Sequence, residues 1–178
     1  MIPTFAGINM NRVVITGLGV VAPNGVGLEA FKNAIKSGTS GIKVHKTMED
    51  ALFSCCIAGT PEISEEKKLE YLSRLQLRGF NSTGILYGCI AGMDAWKDAG
   101  LDINNDSKND YDSGTIFGTG TSGIDKFREA IYNLDAGDLR RLGSTVVVQT
   151  MASGVSAYLG GILGLGNQVT TNSSACCT

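Results

Sequence analysis

The sequence has little histidine. His45, within "IKVHKTMED", is the only one. A lone imidazole in a polar segment is ordinarily solvated or locally hydrogen-bonded, and a catalytic role would need placed partners that this spacing does not reveal. An excess of charge of one sign is lacking too: 15 basic and 17 acidic side chains leave a formal net charge of -2. That balance gives no field of the kind that gathers nucleic acid or an anionic membrane surface. No apolar run reaches the ~18 residues that suggest a membrane span. The opening "MIPTFAGIN" lacks the basic region and the length of a secretory leader. A cytoplasmic, reducing compartment is therefore expected, with the five cysteines as thiols. Met10 offers an alternative start, and residues 1–11 read as an extension ahead of the first regular pattern.

Metal spacing is also missing. Cys55-Cys56 has neither the CxxC nor the Cys/His arrangement of a zinc site and reads as a pair of buried structural thiols, as does Cys89 within a helical stretch. No metal or cofactor is expected. The glycine turns "TGLGVVAPNG" and "GTGTSG" carry no P-loop GK[ST] and read as structural turns rather than phosphate cradles.

Glycine, by contrast, is abundant. Its 24 residues are about twice the usual share and imply tight turns and close backbone approaches. Hydrophobic content of 43% over 178 residues suits one folded domain with a substantial core. "RVVITGLGVVAPNG" reads as a buried strand, Val13–Ile15, entering a turn at Pro23-Asn24-Gly25. "LEAFKNAIKSG" reads as an amphipathic helix with Leu28, Phe31 and Ile35 on one face and Gly38 as its cap. Ile42 to Pro61 is mixed loop and strand, and a charged helix carrying Leu69, Leu72 and Leu75 follows. Asn81 to Gly100 is a stronger helix, with Leu86, Ile90 and Met93 as its stripe and Trp96 beside it. Asn104 to Asp112 is a polar loop, "SGTIFGTGTSG" a strand entering a glycine turn, and Ile124 to Leu134 a helix. Thr145 to Leu163 has the composition of a tightly packed buried helix, and "NQVTTNSSA" is a last strand. The order, β-α-α-β-α-α-β, favours a layered α/β fold with Val13–Ile15, Thr115–Phe117 and Val169–Thr171 as neighbouring strands.

The chain's last residues are "NSSACCT". Small residues after a strand are the composition of a strand-to-helix turn. A thiol at the N-terminus of a following helix would sit at the positive end of its dipole, where the nucleophilic thiolate is favoured. Small neighbours leave room for a substrate carbonyl and for backbone N–H donors to its oxyanion. Cys176 and Cys177 are thus candidate nucleophiles, with a structural thiol as the alternative.

Taken together, "NRVVITGLGVVAPNGVG", "MDAWKDAGL", "GTIFGTGTSG", "TMASGVSAYL" and "SSAC", in this order, resemble the β-ketoacyl-acyl carrier protein synthases, the condensing enzymes of fatty-acid and polyketide synthesis. The likeness runs from about Arg12 to the end. It implies a layered thiolase-like fold, a mixed sheet flanked by helices, with residues 12–178 as the amino-terminal half of a duplicated αβαβα architecture that ends just after the nucleophile. It implies that Cys176, directly after Ser-Ser-Ala, accepts an acyl group from an acyl carrier protein thioester. A malonyl thioester then decarboxylates and attacks the acyl-enzyme, giving a 3-oxoacyl thioester. Thr121 stands where the family has a gate on the acyl channel. Thr150 and Met151 match a segment that reaches the partner's acyl pocket in the family homodimer. The family's remaining catalytic groups, two histidines and a lysine, belong to a second half, as does the helix after the nucleophile. The chain alone is therefore expected to be inactive in condensation and to expose apolar surface that a second half would cover. Two other readings stand beside this one: a non-catalytic dimerising fragment, and a thiolase-like acyltransferase without decarboxylation.

Overall fold

A computed structural model describes residues 12–74, 82–101 and 109–178. The 1–11 extension, Leu75, Asn81 and the loop positions 104–108 lie outside these residues. The described chain opens with a departure from expectation. Residues 12–20 form no strand, and Val13 and Ile15 are 91% and 84% exposed. An apolar run becomes a buried strand only where another strand offers its edge, and no described strand does so here. The segment instead passes over a helix, as its glycines reveal below.

Two short strands follow, β1 (Val21–Ala22) and β2 (Gly25–Val26), paired antiparallel across Pro23-Asn24, so the turn expected there is present. Helix α1 (Leu28–Ser37) ends at Gly38, whose left-handed backbone (φ 66°) lets its N–H reach the carbonyls of Ala34 and Ile35. Its buried residue is Ala34, while Ile35 of the expected apolar face is exposed. Next come β3 (Ile42–Val44) and β4 (Ile57–Gly59), an antiparallel pair enclosing a five-residue helix, α2 (Lys46–Asp50), which the pattern of the sequence did not announce. Cys55 and Cys56 lie on the loop between α2 and β4. Cys55 is exposed and Cys56 half-buried, which corrects the expectation of buried thiols. Connecting segments run over the surface, and that outweighs the general preference of cysteine for the interior.

The core is built from two helices. After α3 (Glu65–Arg74), helix α4 (Thr83–Asp98) buries Ile85, Leu86, Cys89, Ile90 and Met93. The expected stripe of Leu86, Ile90 and Met93 is there, widened by the i+4 pair Ile85–Cys89. The expected helix from Thr145 to Leu163 is instead two, α6 (Val146–Thr150) and α7 (Gly154–Leu163), because Met151 turns to extended backbone. α7 lays Val155, Leu159 and Leu163 against α4. Glycine sets their separation. A Cβ on Gly88 would stand 2.7 Å from Val155 Cγ2, and one on Gly154 2.3 Å from Ile85 Cδ1. Gly19 plays the same part for the amino-terminal segment, where a Cβ would meet the Ala91 carbonyl of α4 at 1.9 Å, and Leu18 N–H donates to Asp98 Oδ2 at 2.9 Å. Tyr71 O–H donates to Asp94 Oδ1, tying α3 to α4.

On the other side of α7 lies a parallel pair, β5 (Thr115–Gly118) with β6 (Val169–Asn172), in the register Thr115↔Val169 to Gly118↔Asn172. An Asp110↔Leu165 bridge extends it. These are two of the three strands expected as neighbours, and they are neighbours. Ser156 Oγ of α7 and Thr171 Oγ1 of β6 share a hydrogen bond of 2.6 Å. Helix α5 (Ile124–Asp135) connects β5 to α6 through a 3-10 turn, Leu139–Leu142. The architecture is thus helices with small sheets, of mixed α/β class.

Two outcomes follow. Ile90 of α4 is fully buried in the core, so Ile90→Ala is expected to lower the unfolding free energy by about 2–5 kcal/mol in urea titrations. Val13, Ile15, Ile116 and Val147 are all more than two-thirds exposed, so the 178-residue chain is expected to self-associate at micromolar concentration. Sedimentation velocity giving a single monomeric species would contradict that.

Candidate active site

Parallel strands that end level place their following loops side by side, and the crevice beyond their carboxyl ends is where α/β folds bind ligands. β5 and β6 end this way: Gly118 is opposite Asn172, and Thr119 N–H donates to the Asn172 carbonyl at 3.0 Å. Beyond β5 comes the loop Thr119–Gly123, and beyond β6 the turn that carries the two cysteines.

Cys176 and Cys177 are exposed thiols on a 3-10 turn, Ala175–Cys177. Ala175 has a left-handed backbone, φ 55°, a conformation that costs a residue with a Cβ about 1–2 kcal/mol. Hydrogen bonds on both sides hold it: Cys177 N–H donates to the Ser174 carbonyl, and Thr178 N–H to that of Ala175, each at 3.1 Å. In a 3-10 turn successive side chains are about 120° apart, so the two thiols point different ways.

The glycine loop packs against this turn. Gly118, Gly120 and Gly123 have GxGxxG spacing between a strand and a helix, the context in which such glycines cradle a pyrophosphate. Their use here is different. A Cβ on Gly118 would lie 2.2 Å from Thr178 Cγ2, and one on Gly120 3.4 Å from Ala175 Cα. Thr178 of the cysteine turn takes the space beside Gly118 and Ala175 lies in ordinary contact with Gly120, so these glycines are structural, as the sequence suggested, and they seat the candidate site. Gly123 (φ 63°) serves the other flank, where a Cβ would strike the Gln149 carbonyl at 1.9 Å. The loop bearing Thr121 therefore lies between the Cys176 turn and the end of α6, where Thr150 and Met151 sit.

Thr121 is exposed, and its carbonyl accepts from Thr119 Oγ1 at 2.7 Å. Thr150 is half-buried, with Oγ1 donating to the Val147 carbonyl at 2.8 Å, and Met151 is about half exposed. The loop contacts thus link the elements of all four residues named from the sequence. His45 lies elsewhere, at the start of α2, within 3.5 Å of Thr60 Oγ1. Among the described residues, no group of three or more His, Cys, Asp or Glu is placed to hold a metal, and no helix is long and apolar enough to cross a membrane.

Sequence reasoning missed the clamp beneath the site. Gln149 is buried; its Oε1 accepts from Ser82 N–H at 3.1 Å, and its Nε2 donates to Thr145 Oγ1 at 2.9 Å. Asp125 Oδ2 accepts from Thr83 N–H at 2.9 Å and from Thr83 Oγ1 at 3.0 Å. Side chains from α5 and α6 thus satisfy the open N–H groups at the start of α4, a task usually given to the N-cap's own side chain. Ser82-Thr83 is a visible cap signature, but nothing local shows that its acceptors lie 67 and 42 residues away.

The family model for the beta-ketoacyl synthase N-terminal domain matches residues 10–178. The chain belongs to this family. It is 30% identical over 167 residues to 3-oxoacyl-[acyl-carrier-protein] synthase 2 of Vibrio harveyi, covering 94% of this chain and 39% of the relative. With the chloroplastic 3-oxoacyl-[acyl-carrier-protein] synthase I of Arabidopsis thaliana it shares 29% over 183 residues, 94% of this chain and 35% of that one. Among solved structures, a type II polyketide ketosynthase in complex with its acyl carrier protein superposes with a TM-score of 0.68 at 24% identity, over 92% of this chain and 38% of that chain. The fold is that of the ketosynthases, and this beta-ketoacyl synthase domain spans about two fifths of the length of the relatives it matches.

Thiol environment separates the cysteines of the domain. Burial in the apolar face of α4 pushes the Cys89 thiol up to about 12 from its ordinary 9.0. Because the folded value lies above the unfolded one, this contribution to stability is intact below pH 9.0 and is lost as pH rises toward about 12. Iodoacetamide at pH 8 is expected to alkylate Cys176 and Cys177 and to spare Cys89 until denaturant is added. Modification of native Cys89 at the rate of the exposed pair would contradict its placement.

Proposed function

We propose that this domain is the acyl-accepting half of a decarboxylating condensing enzyme, a β-ketoacyl-acyl carrier protein synthase, with residues 12–178 as the half-domain and residues 1–11 as an extension. The observation that carries the reading is the position of Cys176. It directly follows Ser173-Ser174-Ala175 at the carboxyl end of β6, on a turn seated against Gly118 and Gly120. The Cys176 thiolate attacks the carbonyl carbon of an acyl thioester. The tetrahedral intermediate collapses, the carrier sulfur leaves as a thiolate that takes up the proton Cys176 released to solvent, and the acyl group remains on Sγ. A malonyl thioester then loses carbon dioxide. Its carbanion attacks the acyl-enzyme, Cys176 leaves as thiolate, and a 3-oxoacyl thioester two carbons longer is released.

In this reading Thr121 gates the acyl channel, and Thr150 with Met151 lines the acyl pocket across a homodimer. The Thr119–Gly123 loop supports those roles by lying between the Cys176 turn and the end of α6. The acyl donor is an acyl carrier protein, the kind of partner found with the solved polyketide ketosynthase. Fatty-acid synthesis is the favoured pathway, since the named relatives are 3-oxoacyl-[acyl-carrier-protein] synthases, and the cytoplasm is the compartment proposed from the sequence, although one of those relatives is chloroplastic. Condensation needs groups to stabilise the carbanion, and a chain with one histidine has no histidine pair to do so. With both thioesters supplied, the 178-residue chain should stop at the acyl-enzyme.

Hexanoyl-N-acetylcysteamine followed by tandem mass spectrometry tests the assignment. Acyl label is expected on Cys176. Cys176→Ala should abolish the label and Cys177→Ala should retain most of it. Label confined to Cys177 would overturn the assignment, as would elongated product from the chain alone.

A further inference from the structure

Asn172 is the last residue of β6, and the candidate roles above do not use it. Its backbone belongs to the ladder: it lies opposite Gly118, and its carbonyl accepts from Thr119 N–H at 3.0 Å. Its side chain belongs to the turn, with Oδ1 accepting from Ser174 N–H at 3.0 Å and also from Ser174 Oγ. One residue thus joins the most regular part of the site to the most strained. The amide oxygen folds the chain back two residues later, as asparagine does in Asx turns. The next residue, Ala175, then adopts its left-handed backbone against Gly120.

We propose that Asn172 is a positioning residue for acylation. By holding Ser174, its side-chain oxygen fixes the turn in the form that presents Cys176, rather than Cys177, to an acyl thioester. The proposal rests on Cys176 as the acyl acceptor. The physical reason lies in the pairing of strain with adjacency. A left-handed alanine persists only where its surroundings over-determine it. Releasing Ser174 frees the turn to relax toward ordinary backbone angles. Relaxation rotates both thiols, and because their side chains stand about 120° apart on the 3-10 turn, turning Cys176 away by that order brings Cys177 toward its place. An apolar residue of similar size would keep the strand and lose the acceptor. An aspartate would keep the acceptor and add a negative charge beside a thiolate.

Three forms of the chain separate these effects: unsubstituted, Asn172→Val and Asn172→Asp. Each is treated with hexanoyl-N-acetylcysteamine from pH 6 to 10, with label partition read by tandem mass spectrometry and folding by circular dichroism. Asn172→Val is expected to lose about tenfold or more in the Cys176 rate and to shift label toward Cys177, the scale of loss that misplacing a reacting atom brings. Asn172→Asp is expected to keep the partition of the unsubstituted chain, while its pH–rate profile moves to higher pH because the carboxylate opposes thiolate formation. A shift of label to Cys177 in a folded Asn172→Val is the result a purely structural role would not give, and the partition in Asn172→Asp remains readable if the valine variant fails to fold. Unchanged partition and rate in a folded Asn172→Val overturn the proposal, as does loss of partition in a folded Asn172→Asp. If the unsubstituted chain carries no label on Cys176, the acyl-acceptor reading fails and this proposal fails with it.

Discussion

The level ending of two parallel strands organises everything near the cysteines. Gly118 opposite Asn172 places the loop after β5 directly against the turn after β6, and the two segments then compete for one volume. Parallel pairing does not allow the two loops to be one hairpin, so they arrive from distant parts of the chain and must interlock. They do so because one side contributes glycine. Gly118 receives the Thr178 side chain and Gly120 lies against the Ala175 backbone, so the cysteine turn is seated at the end of the sheet.

Support for that pair comes from α7, which faces both the strands and α4. Its strand side carries the Ser156–Thr171 hydrogen bond, and its helix side the Val155 and Leu159 contacts with α4. α4 is fixed in turn at its start by Gln149 and Asp125, which come from the elements flanking the glycine loop. The core and the site therefore share members. Gln149 is one residue from Thr150, and Asp125 is two from Gly123. A substitution that loosens the start of α4 acts on the loop and the α6 end together, and residues remote from Cys176 can alter its surroundings without touching it.

The cysteines show how context assigns chemistry to one side chain. Cys89 is on a helix face that excludes water, and its thiol is held protonated. Cys55 and Cys56 sit on a surface loop between α2 and β4. Cys176 and Cys177 occupy a turn at strand ends, where small residues leave the sulfur approachable. Cysteine composition alone separates none of these, and burial, loop position and strand polarity separate all of them.

Several features were legible in the sequence because they depend on short-range pattern. The helical spacing of Leu86, Ile90 and Met93, the turn at Pro23-Asn24, the cap at Gly38 and the strands around Ile116 and Thr170 are all written within a few residues, and the ordered run of motifs ending in Ser-Ser-Ala-Cys carried the family. Tertiary structure decided what sequence separation hides. Whether Val13–Ile15 becomes a buried strand depends on an edge being offered. Ile35 and Cys55 had the right composition for burial and no surface packed over them. The acceptors for Ser82 and Thr83 are unforeseeable locally, because a hydrogen bond across 67 residues leaves no periodic trace. The same holds for the glycine run: its spacing was visible, but only the folded chain shows that the space it leaves is taken by the turn that bears Cys176.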